Sequence, residues 1–185
     1  MRIVGGRLRG RRLESPRDQS IRPTTDRNRE SLFNVLSHRW PEHLSGRVLD
    51  VFAGTGALGL EALSRGAQCA VFIERSAQGQ AIIRRQIEMF DLGEVARVLR
   101  SDATRAHRVD PFGPFDLIFA DPPYGKGLGE RAVDALRGEG WLAKNSLLVV
   151  EENREHLPQS LDGFELLDTR RMGETSIGIY QYVTP

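Results

Sequence analysis

A chain of 185 residues is long enough for one α/β domain with a small appendage. Its hydrophobic residues, 39% of the total, can supply one core. No run approaches the length of a membrane span, and the first residues lack the apolar core of a signal peptide. A single cysteine excludes an intrachain disulfide framework and fits a reducing compartment. The four histidines show no metal-ligand spacing with that cysteine, so we expect no metal site.

The charge is unevenly distributed along the chain. The net charge is +1, but the first 30 residues hold nine arginines against four acidic residues, and the remaining 155 residues therefore carry a net charge of −4. A basic segment on a slightly acidic body predicts either a polyanionic partner or a solvated tail.

The first residues are predicted to form a basic hairpin. Residues 1–4 and 7–13 have the composition of short strands, and the Gly5-Gly6 pair between them is typical of a two-residue turn. In a regular strand, Arg9 and Arg11 would share one face. The arginines expected to bind phosphate groups, in the hairpin and in the polar loop after it, are Arg7, Arg9, Arg11, Arg12 and Arg22.

A helix is predicted next, over residues 26–40, with Thr24 or Thr25 as its N-cap and Pro41 as its end. We expect residues 1–40 to form a basic N-terminal extension and residues 41–185 to form the main domain. From residue 47 onward, predicted strands and helices alternate, which is typical of a mostly parallel sheet. The predicted strands are 48–52, 69–73, 95–99, 115–120 and 146–150, followed by an antiparallel pair, 164–170 and 175–183. The predicted helices are 57–65, 76–91 and 128–137.

The connection after the first strand carries a glycine pattern typical of nucleotide binding. Gly54, Gly56 and Gly59 follow the G-x-G-x-x-G spacing, and Glu74 lies about one βαβ step later, where it can accept hydrogen bonds from two ribose hydroxyls. This pattern alone fits both a nicotinamide dinucleotide and S-adenosylmethionine, because both present an adenosine ribose.

Acidic residues at the ends of the first three predicted strands separate the two cofactors. Asp50, Glu74 and Asp102 would surround the ligand with negative charge. An anionic pocket suits a sulfonium cofactor, which is partly cationic, whereas Asp50 would repel the pyrophosphate of a dinucleotide. The set therefore favours S-adenosylmethionine.

The fourth predicted strand ends in Asp121-Pro122-Pro123-Tyr124, which we call the elbow. Two prolines cannot donate ladder hydrogen bonds, so the strand stops there and a stiff turn follows. Ligands bind at this end of the strands in open α/β sheets. The carboxylate and the free carbonyls can accept hydrogen bonds from an amino group, while the ring stacks on a flat base. The alternative is a rigid turn with a buried tyrosine.

Three stretches together carry a family resemblance: Arg2-Ile3-Val4-Gly5-Gly6, Arg22-Pro23-Thr24-Thr25-Asp26-Arg27 and residues 50–67. They resemble the bacterial 16S ribosomal RNA guanine-N2 methyltransferase family over nearly the whole chain. The resemblance implies a Rossmann-like class I methyltransferase fold, with a mostly parallel seven-stranded sheet and helices on both faces. It also implies methylation of one guanine in 16S ribosomal RNA of an assembling or assembled small subunit, by a cytoplasmic monomer with no membrane partner.

The resemblance also implies that residues 1–40 form an RNA-contacting extension and residues 41–185 an S-adenosylmethionine-dependent methyltransferase domain, and it implies roles for particular residues. The expected cofactor-binding residues are Asp50, Phe52, Ala53, Gly54, Gly56, Glu74, Asp102 and Ala103. The elbow would hold the target base, which must be unpaired or flipped to reach it. The family usually carries Asn near the position of Gln86, so the resemblance assigns no polar role to that side chain.

Three other functions fit part of the pattern. An adenine-N6 methyltransferase acting on DNA or RNA would share the fold and the cofactor. A nicotinamide-dependent oxidoreductase would use the glycine pattern, although no hydride-relay pair accompanies it. A catalytically silent RNA-binding module would use only the basic segment.

Overall fold

The computed structural model describes residues 1–14, 25–105 and 110–183. Its helices are α1 (Asp26–Arg39), α2 (Pro41–Leu44), α3 (Ala57–Ser64), α4 (Ala77–Met89) and α5 (Leu128–Gly138). Its strands are β1 (Arg47–Val51), β2 (Cys69–Ile73), β3 (Ala96–Leu99), β4 (Phe115–Ala120), β5 (Leu142–Asn153), β6 (Phe164–Met172) and β7 (Thr175–Tyr182).

The seven strands form one sheet in the order β3-β2-β1-β4-β5-β7-β6. Strands β1 to β5 pair in parallel, and β7 lies antiparallel between β5 and β6. The order of the strands reverses between β1 and β4: β1 to β3 extend toward one edge of the sheet, and β4 and β5 extend toward the other. Open α/β sheets bind ligands at such a switch point. The predicted fold class is confirmed. None of the helices in the described ranges is long and apolar enough to cross a membrane.

Alternating side chains of the central strands pack into two cores, one on each face of the sheet. On one face, apolar residues of the strands pack with α1, α3 and α4; its strand members include Val48, Phe72, Phe119 and Val149. On the other face they pack with α5; its strand members include Leu49, Val71, Ile118 and Val150. Both faces of the parallel strands are therefore covered, as their nearly continuous apolar sequences require.

The predicted two-residue turn at the N-terminus is wrong. An antiparallel bridge joins Arg2 to Arg12, but the chain reverses over residues 5–10, and residues 7–13 do not form a strand. The reason is contact with the end of α3, where the Arg7 amide donates to the Ser64 carbonyl at 2.8 Å and the Leu8 amide donates to Ser64 Oγ at 2.9 Å. The shared face expected for Arg9 and Arg11 in a regular strand therefore does not arise.

The other predicted elements are confirmed with small changes in their ends. Thr25 caps α1, accepting from the Asn28 amide at 3.2 Å, whereas Thr24 lies outside the described residues. Pro41 follows α1 and opens the short helix α2. Strand β5 is longer than predicted, because Leu142 pairs with Phe115 before a bulge and the last residues of β5 pair with β7.

A buried ion cluster joins the N-terminal segment to α1 and α3. Arg29 and Glu61 are fully buried, with Arg29 Nε 3.6 Å from Glu61 Oε2. The same carboxylate accepts from the Val4 amide at 2.9 Å and from Arg65 Nε at 2.8 Å. Arg29 also donates to the Arg2 carbonyl. Each oxygen of Glu61 thus has partners, which a buried charge requires.

We expect Glu61→Ala to lower the free energy of unfolding by about 3–5 kcal/mol, because it removes the buried carboxylate shared by Arg29, Arg65 and the Val4 amide and leaves Arg29 with only the half-exposed Asp26 carboxylate. Denaturant-induced unfolding measures the change. The matched control is Glu94→Ala at an exposed position. Equal unfolding midpoints for the two variants would contradict the structural importance of the cluster.

Candidate active site

A cavity of about 960 Å³ opens at the carboxyl ends of β1, β2, β3 and β4. All four elbow residues line it, and so do seven of the eight residues expected to bind the cofactor. The exception is Gly56. The structure therefore brings the glycine loop, the strand-end acids and the elbow to one cavity, although they are up to 74 positions apart along the chain.

The loop between β1 and α3 turns through residues with left-handed backbone. The φ angles are +58° at Phe52, +56° at Gly54 and +76° at Gly56. A Cβ atom at Gly56 would lie 3.1 Å from Ile83 and 3.2 Å from Phe72, so Gly56 shapes the turn and allows close packing behind the cavity wall. Phe52 has no such freedom, and a left-handed aromatic residue costs about 1–3 kcal/mol, as is typical of functional sites.

Two side chains outside the glycine loop form hydrogen bonds to its backbone. Glu74 accepts from the Gly54 amide at 2.8 Å through Oε2 and from the Ser76 amide at 2.6 Å through Oε1. Gln86 is fully buried and donates from Nε2 to the Thr55 carbonyl at 2.7 Å.

Gln86 therefore has the polar role that the resemblance did not assign. Its Oε1 accepts from the Glu14 amide at 2.9 Å, so one side chain joins the glycine loop to the N-terminal segment. The available sequence signal was a polar residue on the apolar face of a helix, between Ile83 and Ile87.

The elbow is held by two acids at the end of β5. The Tyr124 hydroxyl donates to Glu151 Oε1 at 3.0 Å, and the Gly125 amide donates to Glu152 Oε1 at 3.2 Å. Both acids are buried. Sequence reasoning placed them at the end of a strand but gave them no role, because the pattern does not reveal which loop they contact.

Asp50 has a raised pKa, and burial is its main cause. Burial raises the pKa of Asp50 to about 8, with the negative charge of Glu74 adding to the rise. The hydrogen bond from the Gly59 amide to Asp50 Oδ2, 2.9 Å long, opposes the rise in this pKa.

The pKa of Asp121 is also raised, whereas the pKa of Asp102 is lowered. Burial raises the pKa of Asp121 well above its usual range, and the nearby carboxyl groups of Glu151, Asp50 and Glu152 raise it further. In contrast, hydrogen bonds from the Thr104 hydroxyl and amide lower the pKa of Asp102, and Arg105 and Arg75 contribute to the same effect. The floor of the cavity thus holds two carboxyl groups with raised proton affinity, whereas the hydrogen bonds at the edge of the cavity favour the ionised form of Asp102.

The predicted RNA-binding arginines do not line the cavity. Arg7, Arg9, Arg11 and Arg12 are exposed, and the reversal at residues 5–10 lies against the end of α3 that is remote from the cavity. Arg22 lies outside the described residues. Sequence reasoning missed further residues of the cavity wall, among them Met1 and the exposed Arg75, Arg105 and Arg131.

Comparison with known proteins assigns the chain to a family. Residues 1–181 match the protein family described as Conserved hypothetical protein 95. The chain belongs to this family. It is 38% identical over 182 residues to Ribosomal RNA small subunit methyltransferase D of Escherichia coli strain K12. The matched region covers 98% of this chain and 89% of that protein. It is 33% identical to the protein of the same name from Haemophilus influenzae, over 98% of this chain and 93% of that one.

A solved structure of the same family gives the same fold. The Escherichia coli protein yhhF has a TM-score of 0.83 and 36% identity to this chain, covering 99% of this chain and 98% of that one. The family resemblance predicted from the sequence is confirmed, and with it the methyltransferase class. Neither the oxidoreductase nor the silent RNA-binding module gains support.

We expect Asp50→Asn to flatten the dependence of stability on pH. The pKa of Asp50 is about 8 in the folded protein and about 4 in an unfolded chain. Its contribution to the free energy of unfolding is therefore complete below pH 4 and is lost as the pH rises toward 8. Asparagine keeps an oxygen for the Gly59 amide but does not titrate, so the fall should lessen by up to about 1.4 kcal/mol per pH unit.

Denaturant unfolding between pH 5 and pH 8 measures this slope. Asp134→Asn, at an exposed position of α5, is the control. Parallel stability curves for the wild type and Asp50→Asn would show that Asp50 titrates normally.

Proposed function

We propose that the chain transfers a methyl group from S-adenosylmethionine to the exocyclic N2 of a specific guanine in 16S ribosomal RNA. Membership of the family and the names of its relatives support an enzyme that methylates ribosomal RNA of the small subunit. The observation that carries the proposal is the shared cavity, in which the elbow faces the glycine loop.

The cavity fits S-adenosylmethionine by its chemistry. Carboxyl groups of Asp50, Glu74 and Asp102 line it and suit the partly cationic ligand. Ser101 adds a buried hydroxyl on the wall that has no hydrogen-bond partner among the described residues. In the proposed arrangement Asp50, Phe52, Ala53 and Gly54 contact the methionine part, Glu74 the ribose, and Asp102 with Ala103 the adenine. When bound, this cofactor supplies an electrophilic methyl group on a sulfonium.

The elbow supplies orientation and proton acceptance. The guanine N2 is a poor nucleophile because its lone pair is delocalised into the ring. Asp121 and the Pro122 carbonyl accept its two N–H groups, which aims the lone pair toward the methyl donor, while Tyr124 stacks on the base. The raised pKa of Asp121 suits its carboxylate to take the proton released from N2.

The base identity follows from the same acceptors. Guanine presents adjacent donors, N1–H and N2–H, to a carboxylate that only accepts, whereas adenine presents a donor beside an acceptor. The adenine-N6 reaction is therefore the less favoured alternative. A base inside a duplex cannot reach the elbow, so the target nucleotide is unpaired or flipped.

The proposal extends to the biological setting. The substrate is 16S ribosomal RNA within an assembling or assembled small subunit, the enzyme is a cytoplasmic monomer, and residues 1–40 form its RNA-contacting extension. The exposed arginines of residues 7–12 and the basic excess of the first 30 residues support contact with phosphates.

We expect Asp121→Ala to lower kcat/KM for RNA methylation by about 100-fold or more, because it removes the acceptor that orients and deprotonates N2. Cofactor affinity, measured by calorimetry, should remain nearly unchanged. Asp134→Ala on α5 is the matched control. Digestion of the methylated RNA should yield N2-methylguanine; N6-methyladenine would establish the alternative, and full turnover by Asp121→Ala would refute the role of Asp121.

Reversing two charges in the basic segment tests its contact with RNA. We expect the double variant Arg9→Glu and Arg11→Glu to weaken RNA binding and to reduce the slope of log affinity against log salt by about 1 for each phosphate that is no longer neutralised. Arg84→Glu with Arg171→Glu makes the same charge change at exposed positions of α4 and β6. Identical salt slopes for the two double variants would mean that the segment is a solvated tail.

A further inference from the structure

Three carboxyl groups end neighbouring strands on one side of the cavity floor. Asp50 lies in β1, Asp121 directly follows β4, and Glu151 lies in β5. Strands β4 and β5 run in parallel with Ala120 paired to Val150, so Asp121 and Glu151 are the next residues along two adjacent strands. Only the first two of these acids line the cavity; Glu151 is 8% exposed and lies behind the wall.

Glu151 contacts the elbow from this buried position. Its Oε1 accepts from the Tyr124 hydroxyl at 3.0 Å and from Thr175 Oγ1 at 3.2 Å. Thr175 is buried at the start of β7, so the carboxylate oxygen that binds Tyr124 is also bound to the neighbouring strand. The hydrogen bond therefore anchors the hydroxyl end of the Tyr124 ring to the end of β5, and Tyr124 still lines the cavity.

We propose that Glu151 is a positioning residue for methyl transfer: it holds the Tyr124 ring in the orientation that stacks on the target base and keeps a negative charge beside Asp121. The inference rests on the proposed function, because it needs the elbow to hold a base. Glu151 acts through Tyr124 and Asp121 and touches neither the base nor the cofactor.

The charge of Glu151 acts on the proton acceptor. The acidic groups that face Asp121 are Glu151 and Glu152 from β5 and Asp50 from β1, and Glu151 is the most influential of them. A negative neighbour makes Asp121 hold a proton more tightly. Its carboxylate is therefore a stronger base when it takes the proton from the methylated nitrogen, and it is ionised only at higher pH.

Two conservative variants separate the two roles. Glu151→Gln keeps an oxygen that can accept from Tyr124 but removes the charge. Tyr124→Phe keeps the ring and the charge but removes the hydrogen bond. We expect Glu151→Gln to move the acidic limb of the kcat/KM profile to lower pH by about half a unit or more, with KM for RNA nearly unchanged. We expect Tyr124→Phe to raise KM for RNA by about 10-fold and to leave the limb in place.

The matched control is Glu165→Gln, which makes the same chemical change at an exposed position of β6. It should behave as the wild type in both measurements. A Glu151→Gln profile that coincides with the wild-type profile would overturn the electrostatic role of Glu151. An unchanged KM for RNA in Tyr124→Phe would overturn its role in holding the ring.

A measurement without substrate distinguishes failure of this inference from failure of the proposed function. Carboxyl resonances of Asp121, followed by carbon-13 NMR in the protein alone, report its pKa directly. We expect this pKa to fall in Glu151→Gln and to stay unchanged in Glu165→Gln. An unchanged pKa in Glu151→Gln would overturn the inference whatever the enzyme methylates, whereas a wild type that transfers no methyl group to RNA would overturn the proposed function itself.

Discussion

The candidate active site depends on acidic groups that are held close together at one edge of the sheet. Parallel pairing of β1, β4 and β5 brings the ends of these strands side by side, and each end carries a carboxyl group. Asp50 and Asp121 are shielded from water, so ionising either has an electrostatic cost, and the neighbouring carboxyl group of Glu151 adds to that cost at Asp121. Burial therefore raises the pKa of both groups, and the charge of Glu74 adds to the rise at Asp50. The sheet topology thus determines the acid–base chemistry of the cavity.

Most of the sheet and much of the site follow from local sequence patterns. The apolar runs that become β1, β2 and β4 are long enough to identify strands, and the glycine spacing after β1 marks the turn to α3. Because parallel strands end at one edge, residues as distant as Asp50 and Tyr124 could be assigned to one site without knowing the strand order. Here the pattern and the topology rule together determine proximity.

The remaining features depend on tertiary contacts that no local pattern reveals. Gly5-Gly6 is a valid turn signal, but bonds from residues 7 and 8 to Ser64 override it and lengthen the reversal. The roles of Gln86 and Glu151 likewise depend on partners 31 and 27 positions away, Thr55 and Tyr124. A buried polar side chain signals that a partner exists, but only the folded structure identifies the partner.

The chain reversal at residues 5–10, which carries Arg7 and Arg9, lies at a distance from the cavity. Helix α3 separates this reversal from the cavity and spans eight residues, or about 12 Å at 1.5 Å per residue. In the proposed complex, an RNA whose modified nucleotide sits on the elbow would therefore meet Arg7 and Arg9 through a part of its backbone beyond the nucleotides next to the modified one. The proposed enzyme would then bind an extended or folded region of RNA more tightly than a short oligonucleotide that carries the same base.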